Sequence, residues 1–406
     1  MDSFLNNWSE AAYTTLGFFW MALWAFILGY FLSSFIQVFV SRKRMKENMG
    51  GTGFKSIFLG TFFGFLSSSC SFSALATTKA LFKKGASFIA SVAFLLASTN
   101  LVIELGIVIS IFLGWQFVVA EYFGGLFLIL FSWILIILIR PKRIIQKARE
   151  NLNAKNEGTD ETGHTPLMDI TSKEKWIKVS KQFGMEWKMV WKDVTVGFTI
   201  AGIIAAFVPD SFFNHLFINT GDPAAQHSFG TLLEHVVVGP VAAFLTFIGS
   251  MGNIPLAALL FGKGVSFAGV MAFIFSDLVV FPVLRINAKY YGWKMSLFIL
   301  FLLFTSLIIT SLLLHYGFDW IGVLPEKPVN TIASQNYFKF NYTFFMNVGF
   351  FVVAAVLIYF GFIKKSKVKM ENEMAPKSPI LEKVLKYLSI MAFVWLIGGA
   401  LLKIMN

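Results

Sequence analysis

The sequence predicts an all-α integral membrane protein of about eight transmembrane helices plus two re-entrant hairpins, built on an inverted-topology repeat. Three observations predict it. First, 56% of the 406 residues are hydrophobic and only 14% are charged, with a mean hydropathy of +0.70, whereas a soluble chain carries roughly 25% charged residues. Second, apolar stretches of about 20 residues recur along the chain, long enough to cross the hydrocarbon core. Third, Phe65–Phe94 aligns without a gap on Phe244–Phe273. The net charge of +12 sits in short blocks between apolar stretches, where basic residues mark topology and do not track phosphates, so no nucleic-acid partner is expected. The single cysteine, Cys70, excludes an internal disulfide framework and a Cys-rich metal cluster. No Gly-rich phosphate loop and no Ser-His-Asp pattern is legible, which points away from an enzyme and from a bound cofactor. The partners to expect are the lipid bilayer and a small solute.

In chain order the spanning stretches lie near 16–40, 86–113, 116–139, 190–209, 266–288, 291–315, 342–363 and 385–403. The first follows a segment, Met1 to Ser41, that has no Lys or Arg and an apolar run too long for a cleaved leader. Two more apolar stretches, 54–82 and 231–262, are interrupted by small and polar residues. Cytoplasmic loops retain Lys and Arg. Twenty-three of the 34 basic residues fall within 41–55, 140–188 and 364–386, while 210–230 has none. The amino terminus is therefore expected outside and the loop 140–189 in the cytoplasm. That loop mixes both charge signs around a polar run, Asn151 to Thr165, and reads as a linker. Its end carries Trp176, Phe183, Trp187 and Trp191 among lysines, the pattern of an interfacial helix preceding the next span.

The self-alignment, at an offset of 179, matches 11 of 30 positions, including Ser71/Ser250, Lys84/Lys263, Gly85/Gly264 and Ser87/Ser266. Each half then comprises a span, an interrupted segment and two further spans. In the first half, 1–139, the repeat would enter from the basic loop 41–55 and leave into the basic loop at 140, both on the cytoplasmic side; in the second, 190–315, it would start at 210–230 and end at 316–341, both on the outer side; 316–406 adds an external loop and two more spans. If each interrupted segment crosses the membrane an even number of times, it is a re-entrant hairpin with its tip at mid-depth, as in transporters that bind at the midplane between inverted repeats. A simple kinked span is the rival reading, and it would leave Arg140 to Arg149 outside, against the charge rule.

The first tip contains Ser69, Cys70, Ser71 and Ser73; the second contains Ser250, Met251, Asn253 and Pro255. Irregular backbone at this depth is tolerated where it lines a cavity. Asn253 suits an N-cap and Pro255 a first helical turn. Ser71 or Ser73 suits the matching cap, so two helix N-termini would face one another over a solute site. Cys70 beside such a terminus would be a thiolate-prone ligand for a soft metal. Small residues allowing close helix contact is the competing account. Ionisable or amide groups within spans mark function by default. Asn100 is assigned to the solute site, and Asp277 and Glu104 to coupling transport to proton entry. A non-transporting membrane subunit or sensor on the same scaffold is the alternative function.

Several blocks together resemble the predicted permeases of the ArsP type: Ser68-Ser69-Cys70-Ser71, Leu81-Phe82-Lys83-Lys84-Gly85-Ala86-Ser87, Asn253-Ile254-Pro255-Leu256-Ala257, Ala272-Phe273-Ile274-Phe275-Ser276-Asp277-Leu278 and Tyr290-Tyr291-Gly292-Trp293. The resemblance covers roughly 50–320. It implies an inner-membrane permease of eight spans in a family whose characterised members export trivalent organoarsenicals, with relatives linked to other soft metals. Ser68 stands where many relatives carry the first Cys of a Cys-Ser-Cys tip, so Cys70 is the one thiol offered here.

Overall fold

The computed structural model describes residues 2–39, 51, 53–67, 71–83, 85–154, 173–218, 220, 228–246, 250–325, 337–363 and 379–405. The protein is an all-α integral membrane protein. Its helices are α1 (Asp2–Phe39), α2 (Phe54–Ser67), α3 (Ser71–Lys83), α4 (Phe88–Asn100), α5 (Ile103–Phe112), α6 (Trp115–Ile139), α7 (Lys142–Ala154) and α8 (Lys173–Phe207). They continue as α9 (Asp210–Leu216), α10 (Phe229–Thr246), α11 (Ser250–Gly262), α12 (Phe267–Phe275), a 3-10 turn (Ser276–Leu278), α13 (Phe281–Tyr291), α14 (Trp293–Trp320), α15 (Tyr342–Ile358) and α16 (Pro379–Met405).

Among the described residues, six helical segments are long and apolar enough to cross a membrane: Phe4–Leu32, Trp115–Ile139, Phe267–Tyr291, Trp293–Trp320, Tyr342–Gly361 and Lys383–Lys403. The stretch expected as one span over 86–113 is instead α4 and α5, bent by 42° at the break between Asn100 and Ile103, and the pair makes a seventh crossing if counted as one. The eighth expected stretch is the shorter apolar end of α8, Val194–Phe207. Phe267–Tyr291 lies at the centre, with 89% of its apolar window buried, against 22% for Tyr342–Gly361. The latter turns Phe345, Phe351 and Val352 outward, as a lipid-facing helix does.

The interfacial helix expected before residue 190 is not a separate element. α8 runs unbroken for 35 residues along α1. Its aromatic residues are packing groups: Phe183 is fully buried and the Trp187 ring lies edge-on to Tyr30 at 5.4 Å. Trp176 meets Phe31 and Phe35. Aromatic side chains among lysines suit an interface and a helix–helix seam equally, and α1, the partner, is too far off in sequence to be read locally.

Local geometry recurs at the offset of 179. α3 and α11 are both 13 residues long, and each follows another helix, α2 or α10, with three residues outside the described ones between them. Gly85 and Gly264 take φ values of 104° and 96°, which only glycine adopts without strain. Ser87 then caps α4 by accepting the Ala90 N–H at 3.2 Å, and Ser266 caps α12 by accepting the Gly269 N–H at 3.1 Å. α2 and α10 also dock alike: a Cβ at Gly60 would meet the Ala90 carbonyl oxygen at 2.5 Å, and one at Gly239 the Gly269 carbonyl oxygen at 2.9 Å. Small residues at helix crossings replace the hydrophobic drive that lipid removes.

At the end of α6, Arg140 adopts a left-handed φ of 50° and turns the chain back under the bundle as α7. This helix crosses to two separate elements. Arg149 Nη2 donates to the Ala86 carbonyl at 2.9 Å while its guanidinium stacks over Phe82, and Asn151 Nδ2 donates to the Tyr291 carbonyl at 3.1 Å. The Phe82 and Tyr291 rings meet edge-on at 5.9 Å. The first part of the expected linker is therefore a packed helix, and 155–172 lies outside the described residues.

Candidate functional site

The two interrupted segments and the central span meet at one carboxylate. Asp277, on the 3-10 turn between α12 and α13, accepts at a single oxygen, Oδ2, from Ser71 Oγ at 2.9 Å and from Ser250 Oγ at 2.7 Å. The serine oxygens are themselves 3.1 Å apart. Ser71 is the first residue of α3 and Ser250 the first of α11, so equivalent residues of the aligned segments clasp the same atom. The local sequence explains the geometry. α12 stops at Phe275 because the Ser276 hydroxyl turns back to the Phe273 carbonyl at 2.5 Å, the competition by which Ser disfavours helix interiors. Pro282, one residue into α13, then fits a new helix start. The Asp277 side chain is thereby held at a helix break inside the bundle, only 3% exposed, and its Oδ1 has no hydrogen-bond partner among the described residues.

Asn253 lies one helical turn along from Ser250. It is 1% exposed, and neither its amide nitrogen nor its amide oxygen has a partner. The expected N-cap role for Asn253 is corrected: α11 begins three residues earlier, at Ser250, so Asn253 and Pro255 lie inside the helix. Pro255 has no N–H for the Met251 carbonyl four residues back, which leaves that carbonyl free of its helical donor. Met251 is half-buried beside it. The Ser71 hydroxyl, likewise at the start of its helix, donates to Asp277 Oδ2. Ser69 and Cys70 lie outside the described residues, as does the Ser73 side chain.

The other two assigned residues are not brought to Asp277 by a hydrogen bond. Asn100 ends α4 and its Nδ2 donates within its own helix, to the Leu96 carbonyl and Thr99 Oγ1, both at 3.0 Å. Glu104, in the first turn of α5, is buried with its Cβ pressed against Gly29 of α1.

One interior carboxyl went unread in the sequence. Glu121, on α6, is fully buried, neither carboxylate oxygen has a hydrogen-bond partner among the described residues, and Asp277 is close enough to act on it electrostatically. The same helix face carries Gly124, against Phe275, and Gly125, against Asn100 and Leu101. The signal was available: an acidic residue seven positions into an apolar span, followed by two glycines on the turn that lets other helices approach. Farther along α3 a small closed cavity lies among Leu75, Thr78, Phe82, Asn287 and Tyr291.

The described part of the site is built of hydroxyl, amide and carboxyl groups, which suit protons, hard cations and hydrogen-bonding solutes; soft metals prefer thiolate. No group of three His, Cys, Asp or Glu that could hold a metal occurs among the described residues.

The sequence profile of the ArsP_1 predicted permeases matches residues 7–316. The chain belongs to that family. The permease is also 37% identical over 331 residues to Rv2963 of Mycobacterium tuberculosis, whose name calls it a permease, with 79% of each chain covered. No solved structure matches the permease. The matched region contains every helix that meets Asp277, Asn253 and Glu121. The protein is a multi-pass membrane transporter.

Proposed function

We propose that this permease exports a small solute, a trivalent organoarsenical or another soft metalloid species, across a bacterial-type inner membrane by alternating access coupled to protons. In this reading the amino terminus is outside and the loop 140–189 is cytoplasmic. The halves 1–139 and 190–315 are inverted, and their hairpin tips line a midplane site with Ser69, Cys70, Ser71, Ser73, Ser250, Met251, Asn253 and Pro255, while Asn100 approaches from the neighbouring break. Asp277 and Glu104 exchange protons with the solute's passage. The observation that carries the reading is the double clasp of Asp277 by Ser71 and Ser250, beside unpartnered amide and carboxyl atoms. Unpaired polar groups in a membrane interior are costly and persist where a ligand completes them. The arsenical specificity rests on family membership and on the thiol of Cys70.

The test is growth of cells with and without the protein across methylarsenite, arsenite, antimonite and unrelated organic solutes, alongside uptake into everted vesicles. Methylarsenite tolerance should rise with the wild type and vanish in Asp277→Asn and Asn253→Ala at normal protein levels. Loss in Cys70→Ser for arsenicals alone would tie the thiol to specificity. Unchanged tolerance throughout the panel would remove the metalloid substrate. Absence of any flux would leave the non-transporting subunit or sensor.

A further inference from the structure

Four carboxyls are buried among the described residues, Glu104, Glu121, Glu186 and Asp277, and their surroundings differ; Glu186 accepts from Gln182 Nε2 at 2.9 Å. Asp277 receives two hydroxyl donors at one oxygen. Glu104 sits against α1 and is not without a partner. Glu121 is fully enclosed and receives no hydrogen bond at either oxygen among the described residues.

The elements packed around Glu121 bring no cation to it. α4 and α12 contain no charged residue. α5 brings Glu104, and the 3-10 turn brings Asp277. α11, which touches α6 through Phe261 on Phe117, has no charged residue of its own. α14 carries His315 and Asp319 in the turns that flank Phe267 and Phe318, with Lys294 at its far end. On α6 itself the neighbour is Tyr122, whose hydroxyl leans on the Val102 carbonyl. An ionised carboxylate without donors or a counter-ion in such a place is disfavoured by many kcal/mol, so the group exists there as a neutral acid or with a cation bound.

The position of Glu121 adds a second argument. Its helix face presses through Gly124 on Phe275, two residues before Asp277, and through Gly125 on Asn100 and Leu101 at the α4–α5 break. Glu121 therefore stands on a helix that touches both broken spans. It lies about 9 Å along the helix from Trp115, which is 58% exposed.

We propose that Glu121 is a further proton-coupling group of this permease, beside Asp277 and Glu104, and that it is held as the neutral acid in its enclosed place on α6. The step is a proton transfer only: Glu121 carboxylate takes up a proton from water when its side opens and returns it to water on the opposite side. The proposal rests on the transport reading above, and its test does not need the solute.

Infrared difference spectroscopy of the reconstituted full-length protein reads protonated carboxyls directly, by a C=O stretch that moves on exchange into D2O. At neutral pH the wild type should have a buried protonated-carboxyl band. Glu121→Gln should lack it, Asp277→Asn should keep it, and Glu121→Asp, which retains the acid if the Gln variant fails to fold, should keep it at a shifted position. A band that persists in a folded Glu121→Gln, or that is absent from the wild type, overturns the assignment. In everted vesicles, Glu121→Gln should exchange methylarsenite down its gradient at near wild-type rates and lose at least 10-fold of the accumulation driven by an imposed pH difference. Accumulation at the wild-type level would sink the coupling role. If the wild type moves no methylarsenite, the transport reading fails on its own and the spectroscopic result still decides where the proton resides.

Discussion

Ser71 and Ser250 both direct their hydroxyls at Asp277 Oδ2, so the two bonds are not independent. Removing either leaves the other in place, and the oxygen keeps one donor. Each of Ser71→Ala and Ser250→Ala should lower stability by about 1 kcal/mol, typical of hydrogen bonds between helices in membranes, and the double variant should lose more than the sum of the two. Thermal unfolding in detergent, followed by tryptophan fluorescence, checks the cycle; strict additivity would mean that the clasp does not act as a unit. These residues were legible because the repeat set Ser71 over Ser250 and because a carboxyl within a span is conspicuous. Glu121 meets the same rule but is less conspicuous, a single acidic residue near the start of a stretch apolar enough to span on its own. The Asn253 cap was misread for a related reason. Ser250 starts the helix three residues sooner, since Asp277, distant in sequence, holds its side chain.

The helices dock where backbone can approach backbone. A side chain at Gly60 would strike the Ala90 carbonyl, which cannot move without unwinding α4. Gly60→Ala should cost about 1–3 kcal/mol by overpacking, and Gly239→Ala at the equivalent crossing should cost less, because its contact is looser. Gly262→Ala serves as the control: open space surrounds that position, and the added methyl should be neutral or raise stability by about 0.4–1 kcal/mol by restricting the unfolded chain. Midpoints of thermal unfolding separate the three, and equal losses would refute the packing account. Element types were readable from apolar length, and the division of the stretches 54–82 and 231–262 from the small and polar residues in their middle. The bend at Leu101 was not readable, because Leu101 and Val102 are as apolar as the helices they separate; only the tertiary setting against Gly125 distinguishes them. The unbroken length of α8 was hidden similarly, by lysines that look like the end of a span.

Across the whole molecule, the basic stretch after Arg140 seemed a tether and in its first third is a brace. Its amphipathic composition was visible, but that its apolar side and Arg149 would close on Phe82 and Tyr291 depends on contacts 60 to 140 residues away. Arg149→Ala, alone or with Asn151→Ala, should raise hydrogen–deuterium exchange of residues 142–154 by at least 10-fold, the loss of about 1.4 kcal/mol or more of local protection, and leave exchange in α14 unchanged. Equal exchange in variant and wild type would mean the brace is held by its apolar face alone. The wedge this helix forms has a mechanical corollary. While it grips a carbonyl just past α3 and another at the end of the central span, those two bodies are pinned together along that rim like the boards of a book at the spine. Any parting of them must then begin at the opposite margin, and the spine can open only after its own two bonds have let go.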